Sequence, residues 1–348
     1  MSFLSSILDL FVSDRPAAGG NTTTAVLEHP EQHSQRQLHA DAPPEPDGPD
    51  LTAVLQRIRG IREPLATDYQ TNSSDLELLS KAETRLQEGA FDLPMLPSAN
   101  LAVMDALANP NQEMAEIADL IEGNPVLTAE VLKTANSAFY SRGQEIADVR
   151  GAVTRIGFRQ LRLLMLTLSA RAVILQGKEI LPLAQRLWEH SIACAVFCRH
   201  LAKLTGEDPE DMFTGGLLHD VGKIIVLNTI REVHKDMEEY VPPACVLGLL
   251  FDGHHQIIGA DVVRNWSLPA KIADVAGHHH SPLGARHTQA AALATLANRM
   301  CRLQSPTDNP YTQETPEVLA ASGLSEEARE SIARSIPEIL AEIAERLT

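Results

Sequence analysis

Apolar residues recur along most of this chain at the three- and four-residue spacing of an α-helix. From Leu51 onward, runs with this spacing alternate with proline and glycine breaks at intervals typical of helix lengths. Asn124 followed by Pro125 is typical of a helix start, because asparagine caps a helix and proline is tolerated at its first position. Asp148 stands in the same place before the next apolar run. The pattern predicts an all-α fold.

The two ends of the chain have different patterns. Phe3, Ile7 and Phe11 are spaced by four and predict a short amphipathic helix. The favoured interpretation is that this helix docks on its own protein or frays, and the alternative is that it docks on a partner or membrane surface. Residues 13–50 are rich in proline, glycine and threonine and predict a disordered linker. Near the other end, an apolar stripe predicts a helix that covers the main fold rather than one that binds a partner. Its residues are Ile332, Ile336, Ile339, Leu340 and Ile343.

These patterns, together with the family resemblance that the motifs below carry, divide the chain into four parts. The N-terminal peptide and linker occupy residues 1–50, and a helical lead-in follows over 51–87. The main domain covers 88–302, and a helical tail covers 303–348.

Composition narrows the function classes. The chain has 29 Lys and Arg against 46 Asp and Glu, a net charge of −17, which argues against binding duplex DNA or anionic membranes. Four cysteines in 348 residues are too few for a disulfide framework. No apolar run approaches the ~20 residues of a membrane helix, and the N-terminus lacks the basic start of a signal peptide. We therefore expect a cytoplasmic protein without a transmembrane segment.

Histidines are concentrated in one region of the chain. Ten of the 13 fall between His190 and His287, and His219-Asp220 lies in an apolar stretch. Burying such a pair is costly unless it is hydrogen-bonded or binds a metal, and imidazole with carboxylate suits Zn, Fe or Mn. Lys223, four residues after His219, would share its helical face and could hold a phosphate beside the metal.

The other histidine clusters supply the remaining candidate ligands. We expect His255 at the start of one helix and the run 278–280 just after the helix over 269–276. The alternative is that each histidine is a hydrogen-bonded core or capping residue. Cys194 and Cys198 form a ladder with a histidine that could bind zinc, but their apolar neighbours favour a packed core. The predicted metal ligands are His190, His219, Asp220, His255, His279 and His280.

The order of these motifs resembles the HD superfamily of phosphohydrolases. The segments that carry this resemblance are Trp188-Glu189-His190, Gly216-Leu217-Leu218-His219-Asp220-Val221-Gly222-Lys223, His255-x-x-x-Gly259-Ala260 and His279-His280. The upstream half resembles the HDOD domain more narrowly. Its matching segments are Leu93-Pro94-x-Leu96-Pro97, Ile121-x-x-Asn124-Pro125, Leu132-x-x-Ala135-Asn136-Ser137 and Ala152-Val153-x-x-Ile156-Gly157.

The resemblance implies a two-lobe helical domain. Residues 88–176 would form the helix bundle of HDOD proteins, and residues 177–302 the HD-like core. The family is related to the HD-GYP phosphodiesterases, which hydrolyse cyclic di-GMP. HDOD proteins themselves are generally regarded as bacterial signalling or regulatory modules, often without complete catalytic machinery.

The sequence departs from an active HD enzyme at two points. HD enzymes use a final aspartate as a metal ligand, and the matching position here is Asn298, whose neutral amide holds a divalent ion less well. The GYP motif is also missing. The favoured prediction is a non-catalytic signalling module that binds a partner protein or a cyclic dinucleotide through the groove between its lobes. The alternative is a metal-dependent phosphohydrolase acting on a nucleotide or cyclic dinucleotide, with Lys223 as a catalytic residue.

Overall fold

The computed structural model describes residues 49–59, 72–137, 145–175, 181–234 and 244–347. Within these ranges the chain forms α-helices and one short 3-10 helix and contains no strand, which confirms the predicted all-α class. No helix in the described ranges is both long enough and apolar enough to cross a bilayer. The predicted helix at residues 3–11 lies outside the described residues, and so does the predicted linker apart from residues 49 and 50.

The helices are numbered here in chain order. The first seven are α1 Leu51–Ile58, α2 Ser73–Gln87, α3 Ser98–Ala108, α4 Met114–Glu122, α5 Pro125–Ala135, α6 Val149–Ile156 and α7 Phe158–Ile174. The remaining helices are α8 Leu181–Ala202, α9 Pro209–Leu218, α10 Gly222–His234, α11 Ala244–Asn265, α12 Ala270–His278, the 3-10 turn Pro282–Gly284, α13 Thr288–Met300, α14 Pro316–Ala321 and α15 Glu326–Leu347.

The predicted helix starts are present as local hydrogen bonds. The Asn124 side chain accepts from the backbone N–H of Val126 at 3.0 Å, and the Asp148 side chain accepts from the N–H of Gly151 at 2.8 Å. Gly157 separates α6 from α7 with φ of +81°, a conformation that residues with a side chain rarely adopt. These short-range interactions fix the helix boundaries without any tertiary contact.

The helices pack as two lobes. Helices α3 to α7 form the N-terminal lobe, and α8 to α13 form the HD-like lobe, with α7 packed against both α8 and α9 where the lobes meet. Helix α8 is the centre of the second lobe, because α9, α13, α1 and α15 all pack against it. The two-lobe prediction is therefore confirmed.

The flanking segments pack on the HD-like lobe. Helix α2 contacts α10 and α11, while α1 and α15 contact α8 and each other. The predicted stripe on α15 is buried, so this helix covers the main fold as expected. Glu342 on α15 pairs with Arg199 and His200 on α8, and Arg57 on α1 pairs with Glu189 on α8 at 2.8 Å. The exact domain boundaries stay predictions.

Three local predictions about the histidine segments are wrong. His255 lies in the middle of α11, which begins eleven residues earlier at Ala244, so it is not at a helix start. His278 is the last residue of α12 instead of following the helix. His219 and Asp220 lie at the junction between α9 and α10 instead of within one helix. For His255 and His278 the reason is that Gly253 and Gly277, which the break pattern treats as helix ends, lie inside α11 and α12, where an isolated glycine is tolerated.

Candidate metal centre

Asp220 lies at the centre of a buried group of histidines. On one side, His190 from α8 places Nε2 3.6 Å from Asp220 Oδ2, and His219 places Nε2 3.3 Å from the same oxygen. On the other side, the Nε2 atoms of His255 and His279 lie 3.7 Å and 3.4 Å from Asp220 Oδ1. Each carboxylate oxygen therefore faces a pair of imidazoles, although the residues come from four separate parts of the chain.

The histidine rings are oriented by backbone carbonyl groups. Nδ1 of His219 hydrogen-bonds the carbonyl of Gly216 at 2.7 Å, and Nδ1 of His279 hydrogen-bonds that of Ala276 at 3.0 Å. His255 makes the equivalent contact with the carbonyl of Phe251. A carbonyl only accepts, so the proton sits on Nδ1 and Nε2 is left to face the cluster. This is the usual arrangement of metal-binding histidines, whose second nitrogen is held by a backbone or carboxylate acceptor.

Two glycines bring the helices of the centre close enough for this convergence. A Cβ atom at Gly222 would lie 2.0 Å from the carbonyl oxygen of His255, so only glycine allows the start of α10 to approach α11. A Cβ atom at Gly216 would lie 2.8 Å from the carbonyl oxygen of Cys194, which ties α9 to α8 in the same way. The glycines of the Gly216–Gly222 segment thus position His219 and Asp220 between His190 and His255.

Charge within the cluster is balanced by nearby groups. Lys223 is buried with Nζ 3.0 Å from Asp220 Oδ2. Burial by itself would raise the pKa of Asp220, but the positive charges of His219 and Lys223 hold that pKa well below its usual range. Burial, with the charge of His219, lowers the pKa of His190 to about 4. His190 is therefore neutral at physiological pH, the form that binds a metal.

His219 behaves differently from His190. Burial lowers its pKa, but the negative charge of Asp220, with that of Cys194 as thiolate, outweighs burial and raises the pKa to about 10. In the protein without a metal, His219 therefore carries a proton that offsets the charge of Asp220. Metal binding at Nε2 requires loss of this proton, which links metal affinity to pH.

The donor atoms of the cluster fit a divalent transition metal. Among the described residues, Asn298 Oδ1 is buried without a hydrogen-bond partner, and His219 Nε2 and Asp220 Oδ1 have only ion-pair neighbours at 3.3 Å or more, longer than an ordinary hydrogen bond. Such atoms are costly to bury unless something satisfies them. Two sets have ligand atoms within 4.8 Å of one another, namely His190 with His219 and Asp220, and His255 with His279 and His280. Imidazole with carboxylate suits Fe, Mn or Zn.

The outer candidates lie at the edge of this centre. His280 is exposed, with its ring 4.3 Å from that of His279 and 5.1 Å from that of His255. Asn298 is buried on α13. The structure thus gathers the predicted residues in one region, and their role as metal ligands stays a prediction.

Sequence reasoning missed some neighbours of the centre. Cys301 lies just after α13, and its thiol contacts that of Cys194, which in turn contacts Cys198 and His219. All three thiols are buried, in agreement with the packed-core interpretation of Cys194 and Cys198. Thr295 donates a hydrogen bond to the carbonyl of His279 at 2.8 Å and so helps to fix the backbone of that histidine. No local pattern marks Thr295 or Cys301, because their neighbours are brought to them only by folding.

A helical core that collects histidines around one His-Asp pair defines the HD class of domains. The family model described as the HDOD domain matches residues 93–282, which is more than half of the chain. The chain therefore belongs to the HDOD domain family.

Individual relatives agree with this assignment. An uncharacterized protein of Treponema pallidum (strain Nichols) is 28% identical over 225 residues, covering 63% of this chain and 43% of the relative. The chain thus spans less than half the length of that curated relative. The crystal structure of an HDOD domain protein of unknown function from Geobacter sulfurreducens is 26% identical with a TM-score of 0.57, covering 78% of this chain and 98% of that one.

A second solved structure supports the fold alone. It is a protein of Shewanella amazonensis SB2B provisionally called a metal-dependent phosphohydrolase. It is 21% identical to this chain, with a TM-score of 0.55, and the match covers 77% of this chain and all of that one.

Proposed function

We propose that this protein is a non-catalytic signalling module whose HD-like lobe holds a divalent transition metal as a structural centre. The observation that carries the proposal is the burial of the cluster. His190, His219, Asp220, Lys223, His255 and His279 are each exposed by 1% or less. Catalytic metal sites keep a coordination position open to substrate, whereas structural sites are closed by protein ligands. A cluster that excludes solvent on this scale supports the structural role.

The charge of the cluster supports the same conclusion. Asp220 is the one carboxylate in the two ligand sets, and Lys223 already offsets its charge at 3.0 Å. Asn298 supplies a neutral amide where HD enzymes have a second carboxylate. A divalent ion bound here would satisfy the buried donor atoms and, with an open position, would polarise a phosphoryl oxygen. The residues present are suited to satisfying buried donor atoms, and they are less suited to leaving an open position for a phosphoryl oxygen.

The groove between the lobes supports binding of a partner. A cavity of about 140 Å³ lies where α3 and α7 of one lobe meet α9 and α12 of the other. Arg159 and Arg162 line it from the N-terminal lobe, and Glu210 and Asp211 line it from the HD-like lobe. Because small-molecule sites usually start near ~300 Å³, this cavity suits a side chain of a protein partner better than a whole cyclic dinucleotide. We therefore favour a protein partner that contacts both lobes.

A phosphohydrolase is the second candidate. The specific observation in its favour is Lys223, whose ammonium group lies inside the cluster and could hold a phosphate if the site opened. The exposed His280 marks the edge at which such an opening would occur. In that case the HD-like lobe would act on a nucleotide or cyclic dinucleotide.

Metal analysis of paired histidine variants tests the centre. We expect purified wild type to contain Fe, Mn or Zn, and His219→Ala and His255→Ala to lose most of it. His254→Ala is the matched control, because His254 is the neighbour of His255 on α11 but points to Glu83, with Nε2 3.9 Å from its carboxylate. Equal metal content in wild type and His219→Ala would refute the site.

A turnover assay separates the two candidate functions. Wild type would be incubated with added Fe(II), Mn or Zn and either cyclic di-GMP or bis(p-nitrophenyl) phosphate. The signalling proposal predicts no hydrolysis above that of His219→Ala. Metal-dependent hydrolysis that disappears in His219→Ala and persists in His254→Ala would establish the phosphohydrolase instead.

A further inference from the structure

A second cavity lies outside the segment matched by the HDOD family. It has a volume of about 330 Å³ and is lined by the last turn of α13 and by the loop that follows this helix. Arg299 lines it from the helix, Arg302 lines it from the turn just after the helix, and Gln304, Asn309 and Gln313 line it from the rest of the loop. This volume falls within the ~300–1,000 Å³ range of small-molecule sites. The cavity is therefore large enough to hold a ligand.

Arg302 is the unusual group in this cavity. Among the described residues it forms no ion pair and no side-chain hydrogen bond, and its Nε atom is buried without a partner. By contrast, Nε of Arg299 pairs with Glu314 at 2.7 Å. A partly buried guanidinium without an acceptor is costly, and an anion is the ligand that removes this cost.

The one carboxylate of the cavity lining is already engaged. Asp308 accepts from the backbone N–H groups of Gln304 and Ser305, both at 2.8 Å, and so closes the turn of the loop. Its Oδ2 atom is thus engaged by the loop, and within the described residues Asp308 forms no ion pair with Arg302. A third arginine, Arg59 at the end of α1, supports the rim by donating to the carbonyl of Leu303 at 3.4 Å. Its Nε is also buried without a partner in the described residues.

The arrangement has the chemistry of a phosphate site. A guanidinium presents a planar fork of donors that matches two phosphate oxygens. The amide side chains of Gln304, Asn309 and Gln313 can hydrogen-bond hydroxyl or ring groups attached to that phosphate. Arg299 and Arg302 line the cavity and Arg59 contacts its rim, and of these three arginines Arg299 is already paired with a carboxylate, that of Glu314. Both features favour a small, polar and anionic ligand.

We propose that this cavity binds a small phosphate monoester, such as a nucleoside monophosphate or a sugar phosphate, with Arg302 as the principal phosphate ligand. The site is separate from the interlobe groove. It lies close to the candidate metal centre, because the buried residues Asn298, on the last turn of α13, and Cys301, just after that helix, adjoin Arg299 and Arg302 in the chain. The proposal does not depend on whether the metal centre is structural or catalytic.

Calorimetric titration of the full chain tests the proposal. The probes are inorganic phosphate, ribose 5-phosphate and GMP, titrated at low salt. We expect wild type to bind at least one of the two esters more tightly than inorganic phosphate. Arg302→Gln should weaken that binding about 10- to 100-fold, since a hydrogen bond to a charged group is lost. The affinity of Arg302→Lys should lie between those of wild type and Arg302→Gln, because lysine keeps the positive charge and lacks the two parallel N–H donors of a guanidinium.

Two further variants make the result decisive. Arg334→Gln, an exposed arginine on α15, removes the same charge elsewhere in the tail and should bind as wild type does. Arg299→Gln serves as a second cavity variant if Arg302→Gln does not fold, and it should also weaken binding. Failure of wild type to bind any probe would overturn the proposal. Equal affinities in wild type and in the folded cavity variant would also overturn it, and so would a loss of affinity in Arg334→Gln as large as that in the cavity variant.

Discussion

Gly222 is the residue on which the geometry of the metal centre depends most directly. Replacing it with alanine adds a Cβ atom 2.0 Å from the carbonyl oxygen of His255 and 2.7 Å from the backbone nitrogen of Gly259. Ordinary contact begins at 3.4 Å, so α10 and α11 must separate by more than about 1 Å. The obstacles are backbone atoms within a helix, which cannot move aside as the end of a flexible side chain can.

The expected cost follows from this clash. Forcing an extra carbon into a packed core costs about 1–3 kcal/mol, and a backbone clash belongs at the upper end. Replacing glycine by alanine in a helix by itself raises the free energy of unfolding by roughly 0.5–1 kcal/mol, because the unfolded chain then has less conformational entropy. We therefore expect Gly222→Ala to lower the free energy of unfolding by about 2 kcal/mol. Metal content should also fall, because His255 moves away from Asp220.

Gly253→Ala is the matched control for this prediction. Gly253 lies on α11 two residues before His255, and a Cβ atom there would meet nothing within 4 Å. The free energy of unfolding of this variant should rise by about 0.5–1 kcal/mol, because alanine has the higher helix propensity, and its metal content should stay that of wild type. Urea unfolding followed by circular dichroism measures the stabilities, and elemental analysis measures the metal. If Gly222→Ala and Gly253→Ala have the same stability and the same metal content, the close approach of α10 and α11 does not position the candidate metal centre.

Three further predictions concern other parts of the chain. Asn298→Asp should tighten metal binding, measured by competition with a chelator, because a carboxylate replaces a neutral amide; hydrolysis that stays absent despite tighter binding would support the signalling role. Asn124→Ala should cost about 1 kcal/mol in urea unfolding, because the cap of α5 is lost. Although burial opposes it, the hydrogen bond from His200 and the charge of Arg199 lower the pKa of Glu342 to about 2. Glu342 therefore contributes stability above its ordinary pKa of 4.5 that is lost as the pH falls toward 2. Glu342→Gln should reduce the difference in unfolding free energy between pH 5 and pH 3, and an unchanged difference would contradict this assignment.

Several features of the protein were determined by the sequence alone. Helix starts such as that at Asn124 depend on a side chain and an N–H group two or three residues apart, so local spacing is sufficient to predict them. The breaks at proline and glycine gave the helical class and most helix boundaries. The chemical types of the candidate ligands could also be predicted from the sequence, because a His-Asp pair in an apolar segment is costly to bury unless it is hydrogen-bonded or binds a metal.

Tertiary structure decided how these parts meet. The predicted order of motifs did not indicate how closely α11 approaches α10, since that distance depends on the backbone contact between Gly222 and His255. The placement of α1 and α15 on α8 was equally hidden, because the contacts that hold these two helices join residues more than a hundred positions apart. Local patterns are set by interactions within one or two helical turns. The candidate metal centre depends on packing between segments that are distant in the chain, which the hydrophobic pattern permits but does not specify.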